Sequence, residues 1–225
     1  MTTEDGDIAA LKDSLRRMLG AQYSPEDRRR LLVADRGLEQ ASWQALTGQL
    51  GLGALGVPEQ YEGVGGTPEQ SQIVHEELGA VLYSGPYLAS NGLAVPALLC
   101  AGDEDARSQH LPLIAEGAEI ATLATTEAGR SWDITDIETV AQPDGGGWLL
   151  TGSKSYVLDA LDAGTILVSA ISLDGIGLFA VALPNEAVTM TPTPSMDLTH
   201  RLCRVDFDHA SATRVSGSGD ATQAL

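Results

Sequence analysis

The 225 residues carry 31 Asp and Glu against 13 Lys and Arg, a formal net charge of −18, and 43% of them are hydrophobic. This apolar content indicates a folded globular protein with room for one large domain or two small ones. The acidic excess repels phosphate backbones, which argues against nucleic-acid binding. Because the acidic residues are spread over many segments, they indicate a solvated surface rather than a binding tail.

The positions of the cysteines and histidines do not predict a metal site. The two cysteines, Cys100 and Cys203, lie in apolar segments without a C-x-x-C pair, so both are predicted to be buried structural side chains. The four histidines share no common spacing. Neither a metal site nor a catalytic triad is therefore predicted. The N-terminus lacks the features of a signal peptide and no apolar run is long enough to span a bilayer, which predicts a cytoplasmic protein.

Helical spacing of apolar residues dominates the first half of the sequence. The predicted helices cover roughly residues 7–19, 25–46, 68–82, 88–100 and 104–116. Ser24, Thr67 and Asp103 are predicted N-caps, and the first two precede a proline, which suits a first helical turn. Gly37 is predicted to divide the second helix. The glycine-dense residues 50–66 predict irregular backbone between helices.

After Gly117 the pattern changes to short apolar strands separated by turns. The predicted strands are Ile120–Thr125, Gly147–Thr151, Thr165–Ala170, Gly177–Leu183 and Cys203–Phe207, with turns at Pro143–Gly147 and Leu173–Gly175. The absence of alternating helices predicts a meander or barrel rather than βαβ units. The fold class is therefore α+β, with an all-α N-terminal domain over residues 1–117 and an antiparallel, barrel-like β domain over residues 118–225.

Three stretches, in this order, carry a resemblance to a known family. They are Leu52-Gly-Ala-Leu-Gly-Val-Pro-Glu-Gln-Tyr-Glu-Gly-Val-Gly-Gly66 with Glu76-Glu-Leu-Gly79, Ala124-Thr-Thr-Glu-Ala-Gly-Arg-Ser-Trp-Asp133, and Gly147-Trp-Leu-Leu-Thr-Gly-Ser-Lys-Ser-Tyr-Val157. Their order and spacing resemble the N-terminal helical and middle β domains of the acyl-CoA dehydrogenase family, over about residues 31–207. The tail of the chain resembles the approach to the C-terminal helical bundle of that family.

The resemblance implies an FAD-dependent flavoprotein that desaturates an acyl-CoA thioester between its α and β carbons. It implies flavin contacts from a strand exit and from a second segment on a neighbouring strand. The implied cofactor-binding residues are Leu123, Thr125, Thr126, Ser131, Trp132, Tyr156 and Leu158. It also implies an acyl-CoA substrate, a homo- or hetero-oligomer, and an electron-transfer protein as a candidate acceptor.

Several positions depart from the family pattern or have a plainer interpretation. Ala128 stands in place of a proline, Ser131 and Trp132 in place of glycine and serine, and Leu158 in place of a hydroxyl residue. Trp132 is either a surface aromatic residue or part of a pocket wall. The two threonines also have good strand propensity by themselves, and Lys154 is a candidate for merely holding the turn.

No catalytic base is predicted in this chain. The family keeps the carboxylate base in its C-terminal bundle, and Glu76, Glu77 and Glu127 are interpreted as solvated or structural carboxylates. Two alternatives to the enzyme interpretation are therefore kept. One is a non-catalytic structural or flavin-binding subunit of a hetero-oligomer, and the other is a fragment of a longer enzyme.

Overall fold

The computed structural model describes residues 3–33 and 40–223. Helices occupy the part before residue 117, as predicted. They are α1 (Thr3–Gln22), α2 (Pro25–Leu32), α3 (Gln40–Gln44), α4 (Pro68–Ala80), α5 (Val95–Ala101) and α6 (Glu104–Ala115). The predicted break at Gly37 lies outside the described residues. Within the described ranges, no helix is long and apolar enough to cross a membrane.

Side-chain caps fix the starts of three helices, which confirms the predicted N-caps. The Ser24 hydroxyl accepts a hydrogen bond from the Asp27 amide at 3.1 Å, and the Asp103 carboxylate accepts one from the Ala106 amide at 2.9 Å. Thr67 makes a reciprocal capping box, because its hydroxyl accepts from the Gln70 amide while its own amide donates to the Gln70 side chain. Local sequence therefore sets where α2, α4 and α6 begin.

The glycine-dense segment is irregular, as predicted, but it is tightly packed. It contains short 3₁₀ turns at Leu52–Ala54 and Glu59–Tyr61. A Cβ atom at Gly63 would lie 1.8 Å from the Val57 carbonyl oxygen, so only glycine fits there. A wide π-helical segment, Leu88–Ala94, precedes α5, and Asn91 within it donates a hydrogen bond to the Gly53 carbonyl at 2.8 Å. The segment is thereby tied to the helices that surround it.

The second half forms a barrel. Its strands are β1 (Ala121–Ala124), β2 (Val140–Asp144), β3 (Gly147–Leu158), β4 (Thr165–Ser172), β5 (Gly175–Ala182), β6 (Val188–Pro192) and β7 (Leu202–Arg214). The order β4-β2-β3-β7-β5 closes on itself through the pairing of β4 with β5, while β1 pairs with β4 and β6 pairs with β7. The α+β class and the barrel are thus confirmed.

The sheet is mixed, which corrects one detail of the predicted antiparallel barrel. The strand β4 pairs in parallel with β1 over four residues and with β2 at Ile171, whereas the other pairings are antiparallel. The β2–β3 hairpin lies between β1 and β4 in the chain, so β4 returns beside β1 by a long connection, which permits parallel pairing. The strands β2 and β6 were not predicted: β2 contains Pro143 and little apolar sequence, and β6 is only five residues long and ends at Pro192.

Apolar contacts join the helices to the barrel. One buried cluster combines Leu98, Leu111 and Ile114 of the helices with Leu167 and Leu178 of the barrel. A second cluster fills the barrel interior, and a third lies among the first helices. The barrel therefore packs directly on α5 and α6. The predicted boundary between residues 117 and 118 stays a prediction.

Arg201 makes a polar connection between the same parts of the molecule. Its guanidinium, in the segment before β7, donates to the Ser84 carbonyl at 2.8 Å and to the Leu31 carbonyl at the end of α2. Its own carbonyl accepts from the Asp159 amide at 2.8 Å, just after β3. One residue thus connects α2, the loop after α4 and the barrel.

The two cysteines differ in their surroundings. Cys203 is buried in the barrel, as predicted, and burial raises the pKa of its thiol. Cys100 is exposed, so its predicted burial was wrong. It lies on the outer side of α5, while Leu98 and Ala101 of that helix face the core.

Loss of the Thr67 cap gives a first test of this fold. Replacing Thr67 with Ala removes the acceptor for the Gln70 amide, and we expect a loss of about 1 kcal/mol in the free energy of unfolding. Thr67→Ser keeps the hydroxyl and is the matched control. Urea denaturation of the three proteins measures the difference, and an alanine variant as stable as the serine variant would contradict the role of the cap.

Candidate functional site

The strand exit that follows β1 is fastened to β3. The Thr126 carbonyl accepts a hydrogen bond from the Ser155 amide at 2.8 Å. Thr125 and Thr126 are half-buried, and within residues 3–33 and 40–223 no hydrogen bond uses their side-chain hydroxyls. Two hydroxyl groups are therefore available to a ligand at the exit of β1.

A bulge in β3 presents Tyr156 beside this exit. The pairing of β3 with β7 shifts register between Lys154, which pairs with Val205, and Val157, which pairs with Cys203. The chain thus advances three residues along β3 but only two along β7, which is a β-bulge. Tyr156 has a left-handed φ of +59° and its side chain is 49% exposed. A left-handed backbone is uncommon for an aromatic residue and persists only where the surroundings hold it. The bulge thus turns an aromatic ring outward next to Thr126.

Lys154 supports the strand exit from inside the barrel. Its side chain is fully buried, and its ammonium donates to the Thr125 carbonyl at 3.1 Å, to Glu127 Oε1 at 2.9 Å and to the Ser169 hydroxyl at 3.1 Å. All three N–H groups of the ammonium are satisfied, which a buried cation requires. Lys154 thus holds the backbone at the exit of β1, and its interpretation as a residue that merely holds the turn stays a prediction.

Glu127 completes this buried ion pair. Its Oε1 accepts from the Thr139 amide at 2.9 Å and from the Thr139 hydroxyl at 2.6 Å, in addition to Lys154, and its Oε2 accepts from the Glu138 amide at 2.7 Å. Its side chain is only 8% exposed. Glu127 is thus a structural carboxylate that ties the loop of residues 128–138 to the exit of β1.

Burial and hydrogen bonding act in opposite directions on this pair. Burial raises the pKa of Glu127, but hydrogen bonds from Thr139 and Lys154 outweigh it and hold the pKa below its ordinary value. Burial lowers the pKa of Lys154, and the partner Glu127 offsets only part of this effect. The carboxylate is thus kept ionised by its hydrogen-bond donors.

The loop after Glu127 carries the predicted residues Ser131 and Trp132. Both are exposed, and the Ser131 amide donates to Asp136 Oδ2 at 2.8 Å, which closes a turn. The Trp132 ring stacks on the Tyr156 ring with centroids 6.0 Å apart and planes 26° apart. Although 81% of Trp132 is exposed, the stack brings it to the same place as the strand exit.

Leu123 and Leu158 lie within strands instead of at this surface. Leu123 is paired with Leu167 in β4 and packs on the core shared with the helices. The Leu158 side chain is 8% exposed, and its carbonyl accepts from the Thr122 hydroxyl at 2.6 Å. The structure therefore gathers Thr125, Thr126, Trp132 and Tyr156 and places the two leucines nearby. The assignment of all these residues to cofactor binding stays a prediction.

The chemistry of this surface fits a flavin. A flavin presents carbonyl and phosphate acceptors together with a planar ring, and hydroxyl donors beside an aromatic side chain suit both parts. The hydroxyls of Thr125 and Thr126 would hold the polar edge, and Tyr156 would line the ring. Only Trp132, on the exposed face of Tyr156, departs from this arrangement.

The carboxylates considered as candidate bases have partners. Glu77 is 4% exposed and pairs with Arg16 at 2.8 Å and with Lys12 at 3.3 Å. Glu76 pairs with Lys12 at 3.0 Å. The hydrogen bond from Arg16 outweighs burial and lowers the pKa of Glu77. Glu77 and Glu127 are therefore structural carboxylates and Glu76 is a solvated one, in agreement with the interpretation from sequence.

A buried aspartate behind the Tyr156 bulge was missed by the sequence analysis. Asp159 is 4% exposed and has a φ of +52°, and its Oδ1 has no hydrogen-bond partner among the described residues. Burial, helped by the nearby Asp162, raises its pKa to about 7 even though Arg201 acts in the other direction. Sequence alone gives little sign of it, because nothing in the order of residues shows that a strand end turns inward.

One cavity, of about 590 Å³, borders the strand exit and is lined by residues that include Glu127, Ala128 and Gly152. A cavity of about 690 Å³ is lined by residues that include Trp43, His110 and Thr165. There, His110 Nδ1 lies 3.0 Å from Glu119 Oε1. In the part of the chain that the structure describes, no group of acidic, histidine and cysteine side chains is arranged to hold a metal ion.

Comparison with known proteins gives a family match over the first half. The model of the acyl-CoA dehydrogenase N-terminal domain matches residues 6–118. A probable acyl-CoA dehydrogenase, fadE25 of Mycobacterium tuberculosis, is 28% identical over 173 residues, which cover 70% of this chain and 44% of that protein. The mitochondrial short-chain specific acyl-CoA dehydrogenase of Bos taurus is 29% identical over 150 residues, or 64% of this chain and 36% of that protein.

The longer alignments extend into the barrel. The acyl-CoA dehydrogenase IpdE2 of Mycolicibacterium smegmatis is 28% identical over 195 residues, which cover 87% of this chain and 50% of that protein. The chain thus spans half or less of the length of these relatives.

Solved structures share the fold. The ChsE4-ChsE5 complex from Mycobacterium tuberculosis has a TM-score of 0.83 at 24% identity, covering 96% of this chain and 58% of the matched chain. The Bacillus anthracis acyl-CoA dehydrogenase complexed with FAD has a TM-score of 0.84 at 21% identity, covering 100% of this chain and 39% of that one.

Removing one partner of the buried ion pair tests its role. Lys154→Met leaves Glu127 buried without its cation, so we expect a loss of about 3 kcal/mol or more in the free energy of unfolding. The double variant Lys154→Met/Glu127→Gln removes both charges and is expected to be more stable than the single one. Denaturant unfolding measures both, and a single variant as stable as the double one would contradict the coupling.

The buried Asp159 predicts a pH effect on stability. Because its pKa is raised from 3.8 to about 7, the folded state binds the proton more tightly, and stability falls as pH rises through this window. Asp159→Asn removes the charge and suits a left-handed backbone, so we expect it to stabilise the protein more at pH 8 than at pH 5. Thermal unfolding at both pH values measures this, with the exposed Asp13→Asn as control. Equal effects of Asp159→Asn at the two pH values would refute it.

Proposed function

Since the chain belongs to the acyl-CoA dehydrogenase family, we propose that it takes part in the FAD-dependent α,β-desaturation of an acyl-CoA thioester. The observation that supports this most is the strand exit, where Thr125 and Thr126 offer free hydroxyls beside the outward ring of Tyr156. The two parts are joined by the bond from the Ser155 amide to the Thr126 carbonyl. We infer that this surface is the cofactor-binding half of the site.

The proposed roles follow from what each group has to offer. When bound, FAD supplies the acceptor for the hydride that leaves the β carbon of the thioester. The hydroxyls of Thr125 and Thr126 orient its polar edge, and Tyr156 lines its ring. Lys154 touches no ligand in this scheme. It is a positioning residue, because its hydrogen bond to the Thr125 carbonyl fixes the backbone that carries both hydroxyls.

The base that removes the α proton comes from outside the described residues of this chain in our proposal. The Glu127 carboxylate accepts hydrogen bonds from Lys154, Thr139 and the Glu138 amide. Glu77 forms ion pairs with Arg16 and Lys12. A carboxylate held by several donors is a poor base because its pKa is lowered. A helical bundle of the kind found in the family, in the same polypeptide or in a partner, would supply the base.

A second candidate function is a flavin-binding or purely structural subunit of a hetero-oligomer. Trp132 supports it, because this ring packs on Tyr156 where the resemblance implies a flavin. In either case we propose a cytoplasmic oligomer that meets an acyl-CoA and passes electrons to an acceptor protein.

An absorption spectrum of the purified chain tests the proposal. We expect a flavin spectrum after incubation with FAD, and anaerobic bleaching by an acyl-CoA once a partner that supplies the base is present. Bound flavin that no acyl-CoA bleaches in any assembly would favour the structural or flavin-binding subunit. A folded chain that takes up no FAD, alone or assembled, would rule out the proposed cofactor.

The hydroxyl of Thr126 can be tested separately. Thr126→Val keeps the shape of the side chain but removes the hydrogen-bonding group, so we expect FAD binding to weaken by about three- to tenfold. Thr191→Val, at an exposed position on β6, is the matched control and should leave the affinity unchanged. Flavin fluorescence titration measures both. An unchanged affinity for Thr126→Val would remove this hydroxyl from the site.

A further inference from the structure

Trp132 stacks on Tyr156 at the site surface, and the proposed flavin site gives this tryptophan no role. Trp132 is 81% exposed and Tyr156 is 49% exposed, yet the two rings lie with centroids 6.0 Å apart and planes 26° apart. Within the described ranges the indole N–H has no acceptor. A large apolar ring is therefore kept in water against one aromatic neighbour.

The space between the two rings is too narrow for a third ring. Stacked carbon atoms lie about 3.5–4.0 Å apart, so a ring inserted between two others needs about 7 Å or more between their planes. The observed centroid separation is 6.0 Å. A planar ligand can therefore reach this face of Tyr156 only after Trp132 has moved away.

The two residues differ in how firmly they are held. Tyr156 lies in a strand, at a bulge whose neighbour Ser155 is hydrogen-bonded to the Thr126 carbonyl. Trp132 lies in an exposed turn whose bonds are made by the residues around it, such as the bond from the Ser131 amide to Asp136. Among the described residues, the indole makes no hydrogen bond and no ring contact other than that with Tyr156. Trp132 is thus the member of the pair that moves.

We propose that Trp132 is a displaceable cover on Tyr156 that competes with a planar ring ligand, a flavin above all, for the exposed face of the tyrosine. This inference rests on the proposed function and adds a residue that lowers flavin affinity. Binding must break the indole–phenol contact before the ligand ring can stack. The intrinsic affinity is then reduced by the equilibrium between covered and uncovered Tyr156.

Substitution of Trp132 tests the cover directly. Trp132→Ser removes the ring and leaves the backbone turn, so we expect the 225-residue chain to bind FAD about two- to tenfold more tightly, the size of one aromatic stacking contact. Trp132→Phe keeps a ring on Tyr156 and is expected to bind FAD about as the unchanged chain does. Flavin fluorescence titration gives the three affinities.

Riboflavin separates ring competition from effects on the phosphates. It has the same ring as FAD but no diphosphate, so the gain of Trp132→Ser must appear with riboflavin as well. A gain with FAD alone would mean that Trp132 hinders the phosphates, and this would overturn the proposed cover. The double variant Trp132→Ser/Tyr156→Leu should lose the gain, because the uncovered face is then gone.

The remaining outcomes distinguish the cover from the proposed function. Equal FAD affinity of the unchanged chain and Trp132→Ser would overturn the cover but leave the flavin site standing. Weaker binding by Trp132→Ser would make Trp132 a wall of the site, which also overturns the cover. If neither protein binds FAD or riboflavin, the cover is refuted and the proposed function loses its cofactor site in this chain.

Discussion

The buried ion pair between Lys154 and Glu127 is the interaction on which the candidate site depends. An ammonium with no solvent exposure remains in the barrel only because the Thr125 carbonyl, the Ser169 hydroxyl and the Glu127 carboxylate satisfy it. The same carboxylate anchors the following loop through Thr139. This one ion pair therefore fixes Thr125 at the exit of β1, Ser169 on β4 and Thr139 at the end of the loop. The positions of the surface groups depend on it.

The site surface shows how stability and binding are divided among neighbouring residues. The groups that make the most hydrogen bonds, Lys154 and Glu127, face inward and hold the fold, whereas within the described residues the side chains of Thr125, Thr126 and Tyr156 face outward without a hydrogen bond. Tyr156 reaches this position through a left-handed backbone at a bulge, a conformation that the pairing of β3 with β7 must stabilise. Preorganisation of this kind reduces the ordering cost of binding a ligand.

Much of the architecture could be predicted from the sequence, and the limits have physical causes. Thr67 and Pro68 predict the start of α4 because a cap is a local interaction, and Gly145 and Gly146 form the predicted hairpin turn with positive φ angles. Parallel pairing of β4 with β1 depends on contacts between distant segments, which no local pattern reports. The motif of Lys154 was visible, but its partner Glu127 was interpreted only generally, since burial decides whether a carboxylate is solvated or paired.

Arg201 has a mechanical consequence for this arrangement. Its guanidinium holds the carbonyls of Leu31 and Ser84, while its backbone holds the amide of Asp159, three residues beyond Tyr156. Any displacement of α2 relative to the barrel must either break these bonds or carry the end of β3 along with it. The Trp132–Tyr156 surface is therefore linked to the helices through Arg201, and a displacement of α2 is transmitted through these bonds to the end of β3.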